Sequence, residues 1–248
     1  MNDLASGKGI VPEDGAGNGN GNTLRYYKKN FWREENLKFS QPHDRLVKAA
    51  RIINRLAQGK ECTLLDVGCG PATLMRLLTP NVQYHGIDIA IHDRAPNLIE
   101  ADLLKSPIMF GDKRFDIILA QGVFEYVGDF QSQKFAEIAR ILNEDGKFIV
   151  SYWNYNHRNR QIYFAHSNIR PFDDFRKDLA RYFNIDRFFP TSHNWNHSSP
   201  SRRLNKAINM RVNMHIPFIS EKFAVEYFFL CSSRHSRGSG GRRGAGPT

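Results

Sequence analysis

The apolar positions of this chain fall into short runs of strand length, separated by segments in which they recur at helical spacing. After Pro42, the series Leu46, Ala49, Ala50, Ile53 and Leu56 predicts a helix over 43–57. A strand is expected at 62–67, a helix at 72–79, a second strand at 83–89 and a short third strand at 98–100. Residues 115–120 read as a fourth strand, while Phe135, Ile138, Ala139 and Leu142 mark a helix. Asn143-Glu144-Asp145-Gly146 reads as a turn, leading into a fifth strand at 147–153. Strands alternating with helices imply right-handed crossovers and an α/β, doubly wound, largely parallel sheet.

Beyond Trp153 the pattern changes. Residues 154–170 are polar, and 172–183 predict a helix with Phe172, Phe175, Leu179 and Tyr182 on one face. A strand is expected at 185–189, a second polar stretch at 191–201, a short helix near 202–209 and a last strand at 223–231.

The stretch that organises the chain is Leu64-Leu65-Asp66-Val67-Gly68-Cys69-Gly70-Pro71-Ala72-Thr73-Leu74. An apolar run ends in Asp-x-Gly-x-Gly and opens into Met75-Arg76-Leu77-Leu78, a pattern of strand, tight turn and helix. Glycines let the backbone bend and approach a ligand with no Cβ in the way, and a helix start offers unpaired N–H groups. The turn is thus a candidate ligand cradle, against the plainer reading of a simple strand-to-helix turn.

With 248 residues and 41% apolar content, the chain can bury a substantial core. No run approaches the roughly eighteen apolar residues of a membrane span and no signal segment is evident, so a soluble, cytoplasmic protein without membrane association is expected. Cys62, Cys69 and Cys231 show no metal spacing; no metal is expected, and the thiols suit a reducing compartment. Residues 1–23 are glycine- and asparagine-rich and 232–248 glycine- and arginine-rich, so both read as flexible tails.

The formal charge of +10 changes this picture in one respect. The tails carry only −2 and +4 of it, which leaves an excess of about +8 on the body, concentrated in 24–60 and 151–215. In 24–42, Tyr26, Tyr27, Phe31, Trp32 and Phe39 alternate with Arg25, Lys28, Lys29, Arg33 and Lys38. Such a mixture describes a lid over a pocket, or a surface for stacking on nucleic acid bases. A basic rim would attract an anionic substrate or simply be solvated.

Asp66-Val67-Gly68-Cys69-Gly70 resembles motif I of the class I S-adenosylmethionine-dependent methyltransferases, with Thr73 where a dinucleotide fingerprint has its third glycine. Three further segments are similar to that family's later motifs. Tyr84-His85-Gly86-Ile87-Asp88-Ile89 resembles motif II, which implies that Asp88 holds the ribose hydroxyls, with Ile89 beside it. Ile99-Glu100-Ala101-Asp102-Leu103-Leu104 is similar to motif III, which implies that Asp102 and Leu103 contact the adenine; the plainer reading of Asp102 is a helix cap. Residues 114–127 resemble motif IV, with Gln121 and Gly122 beside the methionine half of the cofactor. Asp66, Gly68, Cys69 and Gly70 complete the implied cofactor set. The resemblance implies a Rossmann-like, seven-stranded sheet with an antiparallel last strand, plus a helical lid and insertion. On this reading 24–231 form the domain, 24–42 its lid and 154–222 the acceptor-binding insertion.

Where many relatives have Glu-His, this chain has Glu125-Tyr126, which removes the usual histidine. The candidates for catalysis are therefore His157, His193 and Tyr126, histidine because it titrates near neutrality. Tyr27, Phe31, Trp32, Trp153, Asn154, Arg158, Arg160 and His197 are the candidates for acceptor binding. The expected function is methyl transfer to a small-molecule acceptor, anionic or sugar-like, with no nucleic-acid partner; oligomeric state is open, a homodimer being one option. The rival readings are an RNA-directed methyltransferase and a cofactor-binding subunit without turnover. A nicotinamide oxidoreductase fits Asp66, Thr73 and Asp102 poorly.

Overall fold

The computed structural model describes residues 42–91, 95–154, 170–193, 215–218, 220 and 224–234. The expected lid up to residue 41, the helix near 202–209, the tail 1–23 and residues 235–248 lie outside them. The described elements are α1 (Asp44–Leu56), β1 (Cys62–Val67), β2 (Val82–Asp88), β3 (Leu98–Glu100), β4 (Phe115–Ala120), α2 (Phe124–Val127), α3 (Gln131–Ile141), β5 (Leu142–Trp153), α4 (Phe172–Tyr182), β6 (Phe183–His193) and β7 (Ala224–Ser233). They build one seven-stranded sheet in the order β3-β2-β1-β4-β5-β7-β6. The first five strands run parallel, and β7 inserts antiparallel between β5 and β6.

Successive residues of each central strand serve opposite faces, as the period of two requires. Leu65, Val67, Ile118, Ala120, Phe148 and Val150 face the core under α3 and α4, whereas Leu64, Ile117, Leu119 and Ile149 face α1. Burial on both faces explains why these strands are continuous apolar runs rather than alternating ones. The core under α3 is aromatic. Phe135 stacks on Phe124 at 4.5 Å between ring centroids and meets Phe175 and Phe183 edge-on, joining α2, α3, α4 and β6.

Three expectations are corrected. The helix at 72–79 is a 3-10 segment, Thr73–Leu77. Ala72 sits at φ 52° before it and Leu78 is extended after it, and Asn54 of α1 binds its end, with Nδ2 donating to Leu77 O at 2.9 Å and Oδ1 accepting from Thr79 N at 3.1 Å. Residues 143–146 loop out within β5 instead of preceding it, because the register with β4 passes from Phe115↔Leu142 to Ile117↔Lys147. The late strands are longer than expected. β6 extends to His193, with register shifts at Ile185/Arg187, Pro190/Ser192 and Ser192/His193, which an edge strand tolerates, and β7 reaches Ser233. The region expected as an insertion, 154–222, therefore contains α4 and β6, one helix and one strand of the sheet's own layers. Among the described residues no helix is long and apolar enough to cross a membrane.

Because Phe135 touches rings from four elements, Phe135→Ala should destabilise the protein by about 3–5 kcal/mol. Chemical denaturation of the two proteins measures this; a loss below 1 kcal/mol would mean that the aromatic cluster does not tie α2, α3 and α4 to the sheet.

Candidate active site

The carboxyl ends of β1, β2 and β4 meet in one place, where a doubly wound sheet binds its ligands. Gly68 has φ 76° and N–H bonded to Ile87 O at 2.7 Å, so the turn after β1 lies against the end of β2. A Cβ on Gly68 would stand 2.1 Å from Val123 Cγ2, and one on Gly86 would stand 2.7 Å from Cys69 Sγ. Glycine at both positions is what lets the turns after β1 and β4 close on one another and on β2.

Asp88 ends β2, buried, with Oδ2 accepting from Gly70 N at 2.8 Å and Oδ1 from Ala90 N at 3.2 Å. Asp66 is buried beside it and takes a hydrogen bond from Tyr84 Oη at 2.8 Å. Burial, reinforced by the Asp88 charge, pushes the Asp66 carboxyl up to about 7 against the Tyr84 bond. A carboxyl raised in this way holds a proton more readily than an exposed one.

Asp102 follows β3 and caps a turn, its Oδ1 accepting from Leu104 N at 3.0 Å and its Oδ2 paired with Lys105 Nζ at 3.2 Å. The residues that follow form a turn and no helix, so Asp102 caps a turn where the plainer reading had a helix. Ile89 and Leu103 are half-buried near the same edge. Gly122, at φ 66°, ends β4 with its N–H on Ser151 Oγ at 2.9 Å, and the buried Nε2 of Gln121 has no hydrogen-bond partner among the described residues.

A second group of residues, missed by sequence reasoning, lies on the β5 and β7 side. Glu226 of β7 is buried, with Oε1 accepting from Arg45 Nη1 at 3.3 Å and Oε2 from Thr191 Oγ1 at 2.8 Å. Lys48, also buried, donates from Nζ to Pro190 O at 2.8 Å; burial lowers its pKa to about 8 against the pull of Glu226. Glu125 of α2 accepts from Trp153 N through Oε1 at 3.1 Å, while its buried Oε2 has no partner among the described residues. Burial first, and the Glu226 charge second, push Glu125 up to about 8, so it is neutral at neutral pH. The available signal was a lone acid inside each of two apolar stretches, Phe124-Glu125-Tyr126-Val127 and Ala224-Val225-Glu226-Tyr227.

The structure brings together Asp66, Gly68, Cys69, Gly70, Asp88, Gln121 and Gly122, with Tyr126 half-buried on α2. Asn154 leaves β5 pinned to β7, N to Val225 O at 2.9 Å and Nδ2 to Ala224 O at 3.1 Å, just after the half-buried Trp153. The backbone of His193 closes β6 against Ala224. Tyr27, Phe31, Trp32, His157, Arg158, Arg160 and His197 lie outside the described residues. No group of three metal-ligating side chains occurs among the described residues.

The raised Glu125 carboxyl has a consequence for stability. The folded state keeps a proton that the unfolded chain releases near the ordinary value of 4.5, so its stabilisation is full below that pH and drains as pH rises through about 8. Glu125→Gln should flatten the fall in stability between pH 5 and 8.5, leaving the variant ahead of the parent at the upper end by at least about 1.4 kcal/mol, the worth of one pKa unit. Denaturant titrations at several pH values check this; parallel pH profiles would show that Glu125 ionises normally. Asp66, raised in the same direction, contributes to the slope that persists in the variant, and the lowered His85 and Lys48 oppose it.

A methyltransferase-domain family matches residues 42–223. No curated protein matches the sequence. Among solved structures, a TehB-like S-adenosylmethionine-dependent methyltransferase from Corynebacterium glutamicum is 15% identical with a TM-score of 0.54, over 87% of this chain and 100% of that one. An S-adenosylmethionine-dependent methyltransferase from Clostridium acetobutylicum is 13% identical with a TM-score of 0.53, over 86% and 98% of the two chains. A methyltransferase-like protein from Haloferax volcanii, solved with the Trm112 methyltransferase activator, is 15% identical with a TM-score of 0.55, over 85% and 96%. The site fits the cofactor of such proteins: a glycine turn after β1 packed against the ends of β2 and β4, a buried acid at Asp88 beside it, and a buried donor on Gln121 with no partner among the described residues. The chain belongs to the methyltransferase-domain family, with a class I Rossmann-like fold and S-adenosylmethionine as its cofactor.

Proposed function

We propose that the chain transfers a methyl group to a small-molecule acceptor, anionic or sugar-like, held on the β4–β5–β7 side of the glycine turn. The observation that carries this reading is the pair of buried ionisable side chains there, Lys48 and Glu125, on either side of the Arg45–Glu226 contact. Buried polar groups are costly unless they are paired or used, and such groups in an otherwise apolar crevice are what orient a small ligand.

When bound, the cofactor supplies an electrophilic methyl on a sulfonium. In this reading Asp88 accepts from the ribose hydroxyls, Gly68 and Gly70 keep the turn free of side chains, and Asp102 and Leu103 flank the adenine. Trp153 and Asn154 open the acceptor side, and Tyr27, Phe31, Trp32, Arg158, Arg160 and His197 complete it. Holding the acceptor in line contributes on the order of 7–11 kcal/mol, whereas a general base adds about 10²- to 10⁴-fold. The acceptor's proton goes to one of His157, His193 and Tyr126.

Two outcomes test the parts separately. Asp88→Asn should weaken S-adenosylhomocysteine binding by about 1.5–3 kcal/mol, the worth of hydrogen bonds to a charged group, in a protein that melts cooperatively. Unchanged affinity would remove Asp88 from the cofactor site. Once an acceptor has been found by a mass-spectrometric screen, replacing Arg158 and Arg160 with Gln should raise KM for that acceptor severalfold more than KM for the cofactor; equal effects on both would place these arginines outside acceptor recognition.

A further inference from the structure

The placement of Asp88 orients the cofactor along the sheet edge. With the ribose at Asp88 and the adenine at Asp102 after β3, as proposed above, the rest of the ligand extends across β1 toward β4, since the strand order there is β3-β2-β1-β4. The far end of the cofactor is an amino acid, and its carboxylate is an anion that needs a partner. Arg45 stands where that end arrives. Its guanidinium nitrogens lie 3.4 and 3.5 Å from the point where a Cβ on Gly122 would be, directly over the end of β4, and Gly122 packs beside Val123, the residue in contact with Gly68.

The guanidinium is also held in place. Nη1 reaches Glu226 Oε1 at 3.3 Å, and the Glu226 side chain is 3% exposed and braced by the Thr191 hydroxyl at 2.8 Å. Glu226 is the only carboxylate partner of Arg45 among the described residues, and the arginine side chain remains 38% exposed. An arginine has five N–H donors in a planar fork, so one anchored nitrogen leaves a face suited to bidentate recognition of a carboxylate. Beside it, the buried Nε2 of Gln121 has no partner among the described residues, a second donor at the same strand end.

We propose that Arg45 receives the carboxylate of the cofactor's amino-acid half, with Glu226 of the last strand as the positioning residue that aims it. The assignment rests on the cofactor lying across the ends of β2, β1 and β4. It gives the antiparallel last strand a part in cofactor recognition.

The test compares two ligands by calorimetry: S-adenosylhomocysteine, which has the carboxylate, and 5′-methylthioadenosine, which has the same nucleoside and sulfur without the amino-acid half. Arg45→Gln should weaken S-adenosylhomocysteine binding by about ten- to hundredfold while leaving methylthioadenosine within twofold of the parent. Arg45→Lys, which keeps the charge and loses the fork, should fall between. Glu226→Gln should reproduce part of the same selective loss, whereas a purely structural Glu226 would weaken both ligands alike. Equal losses for both ligands in the Arg45 variants, or no loss for S-adenosylhomocysteine, would overturn the proposal. Failure of the parent protein to bind either ligand would overturn the underlying placement of the cofactor, and the proposal with it.

Discussion

The absence of a side chain at Gly68 is the constraint on which the carboxyl edge of the sheet depends. With φ at 76° and Val123 Cγ2 at 2.1 Å from any Cβ, no other residue allows the turn after β1 to sit against the turn after β4. Contact between those turns brings Gly70 within hydrogen-bond reach of Asp88 and sets Gly122 beneath Arg45. One backbone position thus joins the end of β2 to the end of β4.

On that second side the protein accepts an electrostatic cost. Glu125, Glu226 and Lys48 are buried, and burial drives Glu125 and Lys48 toward their neutral forms. Each has a specific partner, the Trp153 amide for Glu125, Arg45 and Thr191 for Glu226, and the Pro190 carbonyl for Lys48. Arg45 and Lys48 clamp α1 to β7 and β6 through Glu226 and Pro190, and Glu125 ties α2 to the end of β5. Burial of this kind seldom adds stability, and it is in keeping with a surface shaped for recognition.

Much of the fold was legible in the sequence because the parallel strands are apolar on both faces and short. Continuous runs such as Leu64-Leu65 and Ile117-Ile118-Leu119 leave no other assignment between turns, and α1 follows directly from the spacing of Leu46, Ala49, Ala50 and Ile53. The segment after the glycine turn was misjudged because its apolar spacing suits a helix of two turns. A left-handed Ala72, an extended Leu78 and the Asn54 side chain reduce it to a 3-10 segment. β6 was read short because Pro190 and the polar Thr191, Ser192 and His193 look like loop residues, and only an edge position with a bulge accommodates them. The turns proposed to hold the cofactor stand out as local motifs, since Asp66, Asp88 and Gln121 each lie within two residues of a glycine. The Arg45–Glu226 contact could not, as 181 residues separate its partners and each looks locally like an ordinary surface charge or a stray acid.

The measurement that tests the central claim most directly is calorimetric titration of the full-length protein with S-adenosylhomocysteine, with NAD as the control ligand. Saturable one-to-one binding at micromolar concentration, with no heat from NAD, is the predicted result. Binding of NAD in preference, or of neither ligand, would contradict the assignment of the Gly68 turn, Asp88 and the end of β4 to a methyl donor.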